Sequence, residues 1–373
     1  MKIAVNAWFL NTPHETLTGS GQYARHLIDA LREVAPDTQL ECVSPGRRGD
    51  LAKIQFEQIE FPRAAKQMGA DIAFVPYWAP PLQSDVPVVV TIHDVIPIAL
   101  PAYRGGLPQR AYASLVCAAS LNSAAIITDS EFSKQDILKH LRVDAQSVTV
   151  IPLAVEPRFT PAIPYAELAR VQEKYALPER YVLYLSGFDP RKNIETLMQV
   201  YVWCGETVGE EYPLVINGTP NTPVTTTGGM HTTLGEMAEM LEVRDVMHLI
   251  GRVDEDDKPA VYAGARALLF PSEYEGFGLP PLEAMACGVP VVGGNGSSIA
   301  EVVGNAGMLV EPTDARRMAG ALIATCTEDD LNNRLRQRAL LRAAQYTWQR
   351  TAFETYAVFH KVYKVYDAHR SKK

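Results

Sequence analysis

The sequence predicts an α/β protein of two Rossmann-like domains, each built on a parallel sheet, facing each other across a cleft. Three observations point there. The strand candidates are apolar throughout rather than alternating, as strands covered on both faces are. Helical patterns separate them, which is how a parallel sheet is covered. The alternation also breaks once, at a proline-dense stretch, and then restarts, in a chain of 373 residues that is long for a single core.

In the first domain the strand candidates are 2–7, 40–43, 72–75, 86–92, 124–129 and 148–151. Leu27, Leu31 and Val34 recur at helical spacing in "GQYARHLIDALREV" and predict the first helix. Pro152, Pro157, Pro161 and Pro164 then break both helix and sheet, so a crossing between domains 1–165 and 166–349 is expected. The second set of strands reads 181–187, 214–218, 246–251, 265–272, 289–294 and 307–312. In "NIETLMQVYVW", Ile194, Leu197, Met198, Tyr201 and Val202 share a helical face. The Gly-, Thr- and Pro-rich run 217–234 reads as a mobile surface loop or a lid, and 329–370 as a long helical tail.

Composition narrows the class. With 47% hydrophobic and 21% charged residues the chain is of soluble globular type. A net charge of −8 argues against nucleic acid as a partner, which demands a basic surface. Cys42, Cys117, Cys204, Cys287 and Cys326 are scattered and odd in number, as reduced core cysteines of a cytoplasmic protein are. The apolar part of "MKIAVNAWFL" is too short and interrupted for a signal peptide, and no run reaches the ~20 apolar residues of a membrane span.

The chemistry concentrates at strand ends, where ligands of open α/β sheets bind. "FPSEYEGFGLPPLEAMACGVP" leaves a buried strand, turns at Gly276, Phe277, Gly278 and Leu279, and starts a helix with Pro280 and Pro281 in its first turn. Amides heading a helix make an anion site. Glu275 before the turn and Glu283 within the helix can each accept two hydroxyl hydrogen bonds, so a ligand with diols at its ends and phosphates between them fits: a nucleotide sugar. The plainer alternative is a solvated loop acid and a carboxylate complementing the helix dipole.

After "YVLYLSG", the loop "FDPRKN" places Arg191 and Lys192 ahead of a helix capped by Asn193, a setting that suits a diphosphate; a solvated charge pair is the alternative. Gly19 and Gly21 in "GSGQYA" allow close backbone approach to a phosphate or an acceptor. The match to a dinucleotide fingerprint there is discounted, because about ten residues separate it from the strand. His93 and Asp94 stand where the fourth strand ends; a structural histidine is the alternative to one facing the cleft. Asp254 and Asp256 form a D-x-D read as structural, Ser130 a helix cap, and "SIAE" (298–301) a capping box.

Together "GSGQYARHL", "VTIHDVIP", "ITDSEFSK", "YLSGFDPRKNIETL", "FPSEYEGFGLPPLEAMACGVPVV" and "IAEVVGNAGMLVEP" give the chain a resemblance, over nearly its whole length, to glycosyltransferase family 4. These are retaining transferases of the GT-B architecture. The resemblance implies that Glu275 and the Phe277–Leu279 backbone hold the donor sugar, Glu283 the ribose, and Arg191 and Lys192 the diphosphate. It implies that His93 contacts the transferred sugar, that the backbone near Val253 meets the base, and that a C-terminal helix, about 350–373, packs back on the first domain. Phe188 stands where many relatives carry an arginine, so Arg191 is expected to carry that phosphate charge.

The reaction expected is transfer of a hexose to a hydroxyl of a glycan or lipid-linked oligosaccharide, in bacterial polysaccharide synthesis and without a metal. The "DPRKN" loop is similar to those of mannosyl- and rhamnosyltransferases, which favours GDP-mannose, with UDP-glucose next. A lipid-linked acceptor would bring the first domain to the inner face of the plasma membrane, although no strongly basic amphipathic segment argues for it. The rivals are an epimerase or hydrolase of the same fold, and a non-catalytic nucleotide-sugar-binding partner.

Overall fold

Every predicted strand forms; most are trimmed at their ends, whereas 72–75 keeps its bounds and 40–43 gains Gln39. The computed structural model describes residues 1–10, 19–226 and 228–370. The chain divides into one unit of Met1–Ala154 with Thr347–Lys373 and another of Val155–Tyr346.

In the first unit, β1 (Lys2–Asn6), β2 (Gln39–Val43), β3 (Ile72–Val75), β4 (Val88–Thr91), β5 (Ala125–Thr128) and β6 (Val148–Val150) lie in the order β2-β1-β3-β4-β5-β6. All pairs are parallel. β3, β4 and β5 are buried at every position, which is why they read as unbroken apolar runs. β2 is an edge strand with little cover, and its Cys42 is exposed rather than in the core. The helix Gly19–Val34 buries Tyr23, Leu27 and Leu31. The C-terminal helix Trp348–Arg370 packs in this same unit: Trp348 stacks on His26 with centroids 5.2 Å apart, and Phe359 meets Phe74 edge-on at 5.0 Å.

In the second unit, β7 (Val182–Tyr184), β8 (Leu214–Ile216), β9 (Pro223–Thr225), β10 (His231–Thr233), β11 (Met247–Leu249), β12 (Ala267–Phe270), β13 (Val291–Gly294) and β14 (Gly307–Val310) follow in sequence. Six form a parallel sheet in the order β11-β8-β7-β12-β13-β14. β7 and β12 are neighbours, so the loops carrying Arg191 and Glu275 leave adjacent strands at the same edge. A β-carbon on Gly293 would collide with the Phe270 carbonyl oxygen of the adjoining strand, so only glycine fits there.

Several expectations are corrected. The first unit ends at Ala154, not at 165, because the chain beyond it packs on the second unit. There Arg158 Nη1 donates to the Glu255 carbonyl at 2.6 Å, and Phe159 meets Tyr262 edge-on. The helical tail is two helices, Asp329–Ala343 in the second unit and Trp348–Arg370 in the first. Val202 lies off the buried face of its helix, at 50% exposure. The run 217–234 is not an open loop: β9 and β10 form an antiparallel hairpin, and Thr233 and Glu236 make a capping box at the next helix. Asn193 and Ser130 do cap their helices.

Candidate functional site

Site chemistry in the second unit is built where β7 and β12 end. Past β7 a single 3-10 turn, Pro190–Lys192, presents Arg191 and Lys192, and Asn193, in a left-handed conformation, reverses the chain into the helix Ile194–Cys204. Its side-chain amide donates to the Pro312 carbonyl at 3.0 Å, anchoring the turn. Past β12 comes Ser272 to Gly278, where Gly278 has φ 105°, a conformation that favours glycine, and caps the helix Leu279–Ala286. Pro280 and Pro281 carry no N–H, so the donors that this helix start leaves outside its own ladder are the amides of Leu279 and the turn before it.

Both cations converge on Glu275. Arg191 Nη1 lies 2.6 Å from Glu275 Oε2, and Lys192 Nζ lies 2.5 Å from Oε1. Ser272 Oγ donates to Oε1 at 2.8 Å. Arg191 also donates to the Tyr274 carbonyl and pairs through Nε with Asp189 at 3.0 Å. Lys192 and Glu275 are buried, at 6% and 7% exposure, and the ammonium sits 5.2 Å from the Phe270 ring centroid. Burial alone would push the Glu275 carboxyl up; the Lys192 ammonium and the Arg191 guanidinium outweigh it and hold the group below its ordinary value. An ammonium has three donors, and Glu275 takes one of Lys192's.

Two serines brace this turn, Ser297 with no signal in the sequence and Ser298 with a signal that pointed elsewhere. Ser297 Oγ accepts from the Glu275 N–H at 3.0 Å. Ser298 Oγ, fully buried, lies 2.8 Å from the Glu275 and Phe277 carbonyls. Ser298 therefore is not the capping-box residue expected at "SIAE": it makes no side-chain cap bond, and its proton goes to the turn instead.

Glu283 does not join the cluster. Its Oε2 accepts from Tyr262 OH at 2.8 Å, and burial raises its carboxyl above the ordinary value despite the nearby Lys258 and that bond. Phe277 is buried edge-on against Tyr346, and Leu279 is half-buried. Val253 is buried past β11, and the next amide, of Asp254, donates to Tyr175 OH at 3.0 Å. Phe188 packs beside Tyr184. The D-x-D acids are structural: Asp254 pairs with Lys174 and Asp256 with Arg158. No group of acids, histidines or cysteines able to hold a metal occurs among the described residues.

His93, Gly19 and Gly21 belong to the first unit. His93 follows β4, and its Nδ1 lies 2.7 Å from Asp129 Oδ2 past β5. Tyr23 meets the imidazole edge-on at 4.7 Å, and its hydroxyl lies 3.1 Å from Thr91 Oγ1. Burial would lower the His93 pKa, but Asp129 outweighs it and raises it. Nε2 makes no hydrogen bond among the described residues. Gly21 is buried at the head of its helix, whereas Gly19 is exposed and a β-carbon there would meet nothing.

Comparison with known proteins identifies the family. Residues 167–342 match the family model for glycosyl transferases group 1, and 17–159 that for Glycosyltransferase Family 4. The chain is 34% identical over 269 residues to the O-antigen chain mannosyltransferase B of Escherichia coli, covering 72% of this chain and 68% of that one. It is 29% identical to the serotype-specific mannosyltransferase WbdA of Escherichia coli over 71% of this chain, and spans 32% of that longer protein. Sucrose-phosphate synthase from Thermosynechococcus elongatus shares the fold, with a TM-score of 0.72 at 20% identity over 98% of this chain and 99% of that one. With both halves matched and a 34% identical relative aligned across both units, the chain belongs to the group 1, family 4 glycosyltransferases.

Proposed function

We propose that the protein moves a mannose, with retained configuration, from a nucleotide diphosphate sugar to a hydroxyl of a growing polysaccharide. GDP-mannose is the donor we favour, since both sequence relatives named above are mannosyltransferases. The observation that carries the reading is the convergence of Arg191 and Lys192 on one carboxylate beside the amides that head the helix Leu279–Ala286. Charge builds on the leaving diphosphate as the anomeric bond breaks, and preorganised cations and amides stabilise it by several kcal/mol. In this reading Arg191, Lys192 and the Phe277–Leu279 backbone take the diphosphate. Glu275 accepts from the sugar hydroxyls while keeping the cations in place, and Glu283 takes the ribose. His93 contacts the sugar, the backbone near Val253 the base, and Gly19 and Gly21 leave room for the ligand. The cations do the work a metal would otherwise do, so turnover needs none. The acceptor is a glycan, and contact with a membrane surface follows only if it is lipid-linked.

Calorimetry with GDP, UDP and dTDP tests this directly. One diphosphate binds most tightly, and Arg191→Ala weakens it by roughly tenfold to a hundredfold, the worth of one charge-assisted hydrogen bond, with little effect on the nucleoside. Equal losses for both ligands place the phosphate elsewhere and overturn the reading. Donor consumption that does not depend on added glycan identifies a hydrolase or epimerase, and binding without turnover a non-catalytic partner.

A further inference from the structure

At the amino ends of β7, β8 and β12, the end of the sheet away from Arg191 and Glu275, the second unit holds a cavity of about 440 Å³. That volume lies inside the roughly 300–1,000 Å³ of small-molecule sites. Arg266, the residue before β12, lines it together with Arg336 of the helix Asp329–Ala343. Buried amide bonds fix the two with respect to each other. Asn332, fully buried in the first turn of that helix, donates through Nδ2 to the Arg266 carbonyl at 3.2 Å and the Thr325 carbonyl at 2.9 Å. Arg336 stands one helical turn beyond Asn332, on the same face of the helix. The Arg266 side chain is anchored as well. Its Nε donates to the Cys326 carbonyl at 3.1 Å, closing the end of the helix Ala315–Thr327, and its Nη2 pairs with Asp329 at 2.7 Å.

The cations here are short of counter-charge. Arg266 spends two of its five N–H donors on those partners. Arg336 is half-buried and makes no hydrogen bond or ion pair among the described residues. Burial, and after it the repulsion of Arg266, push its pKa down, as for a charge that lacks a counterion. Three acids also line the cavity, but all are exposed: Glu179, Glu211, which pairs with Arg180, and Asp329, at 84% exposure. Water and salt screen such carboxylates, whereas Arg266, at 22% exposure, and Arg336 keep more of their field.

Tyr212 is the aromatic residue of the lining; it is buried, with Arg266 Cζ 5.9 Å from its ring centroid, so little of the ring is left for a base to stack on. We infer that the cavity binds a compact phosphate, inorganic or as a small ester, between Arg266 and Arg336. Planar guanidiniums match phosphate oxygens in pairs, which a lone ammonium does not. The exposed acids turn away extended polyanions, which would have to cross them. The bound anion joins the entry to β12 to the helix Asp329–Ala343 and so stabilises the second unit from the end of its sheet opposite Arg191.

Melting and calorimetric titration of the full chain with inorganic phosphate and with glycerol 3-phosphate test it. In the native protein Tm rises with ligand concentration, as binding to the folded state requires. Phosphate also stabilises proteins by its exclusion from their surface, an effect that Arg336→Gln shares, so the difference between the two proteins reports the site. Affinity falls by about tenfold or more in Arg336→Gln, the loss of a charge-assisted hydrogen bond. That variant removes no hydrogen bond within the protein, so it keeps the fold. Arg336→Lys restores the charge without the fork and recovers part of the affinity. The tighter of the two ligands tells an ester from inorganic phosphate. Equal affinity in the native protein and Arg336→Gln overturns the inference, as does a loss that Arg336→Lys leaves wholly unrepaired. Phosphate held instead by Arg191 and Lys192 gives the opposite pattern, lost in Arg191→Ala and kept in Arg336→Gln, and overturns it too.

Discussion

Replacing Glu275 with glutamine removes one negative charge from between two cations and leaves the shape of the side chain intact. The loss falls mainly on Lys192, a residue 6% exposed whose ammonium has Glu275 as its ion-pair partner at 2.5 Å; Arg191 keeps Asp189 at 3.0 Å. Removing one partner of a buried ion pair costs about 3–5 kcal/mol, because the other charge stays buried without compensation. The glutamine carbonyl oxygen can still accept from Lys192 and Ser272, so the lower end, about 3 kcal/mol, is expected. In a unit of this size each kcal/mol moves Tm by about 2–4 °C, so Glu275→Gln should melt about 6–12 °C below the native protein. Calorimetric melting of the full chain, resolving the transition of the second unit, reads this directly. The double variant Glu275→Gln with Lys192→Met should recover part of the loss, since no charge is then stranded. A shift under about 2 °C, or a double variant that loses the sum of the two singles, would show that the pair is not a buried couple. The role assigned here to Glu275 as keeper of the cations would then fail.

Three further outcomes are expected. Asp257 is bonded by Arg170, Lys174 and Tyr175, which outweigh the upward push of burial and hold its carboxyl at about 2. Its folded value lies below its ordinary one, so its stabilisation is complete above about pH 4 and is lost as pH falls through about 2. In acid unfolding, the stability gap between the native protein and Asp257→Asn should close over that window, and a gap unchanged to its lower end would refute the assignment. His93 should titrate above its ordinary value, so the stability of its charged form is present in acid and lost as pH rises through the folded value. In Asp129→Asn, NMR should move the His93 titration downward, since only Asp94 and the Pro76 backbone then oppose burial; no downward move would refute the pairing. Ser298→Ala removes the hydroxyl whose single proton the Glu275 and Phe277 carbonyls share, so a loss of about 1–3 kcal/mol with weaker diphosphate binding is expected, and unchanged melting and binding would exclude its bracing role.

Much of the fold is written locally. A run such as "ALLF" or "VVVT" is buried from end to end, and its apolar residues declare that without reference to any partner. Asn193 and Ser130 cap helices through bonds spanning three residues, which is why they were legible. "DPRKN" and "SEYEGFGLPP" likewise mark themselves as polar turns at strand ends. Residues whose role depends on distant neighbours were not legible. Cys42 is exposed because β2 is an edge strand, and sheet order is a tertiary fact. Arg158 ties the chain after Ala154 to the second unit through Glu255, 97 positions away, which moves the boundary upstream of Pro157, Pro161 and Pro164.

From the residues alone followed two parallel-sheet units, two cations at one strand end, and two acids with a glycine turn at another. Tertiary structure alone decided that those strand ends are neighbours, so that Lys192 meets Glu275 across 83 positions. It also decided that Ser298 turns its proton away from its own helix to the turn that carries Glu275. The physical reason is range. Apolar periodicity, caps and turns act over a few residues and are written in order along the chain, whereas the pairing of buried charges and hydroxyls depends on which strands the packed sheet sets side by side.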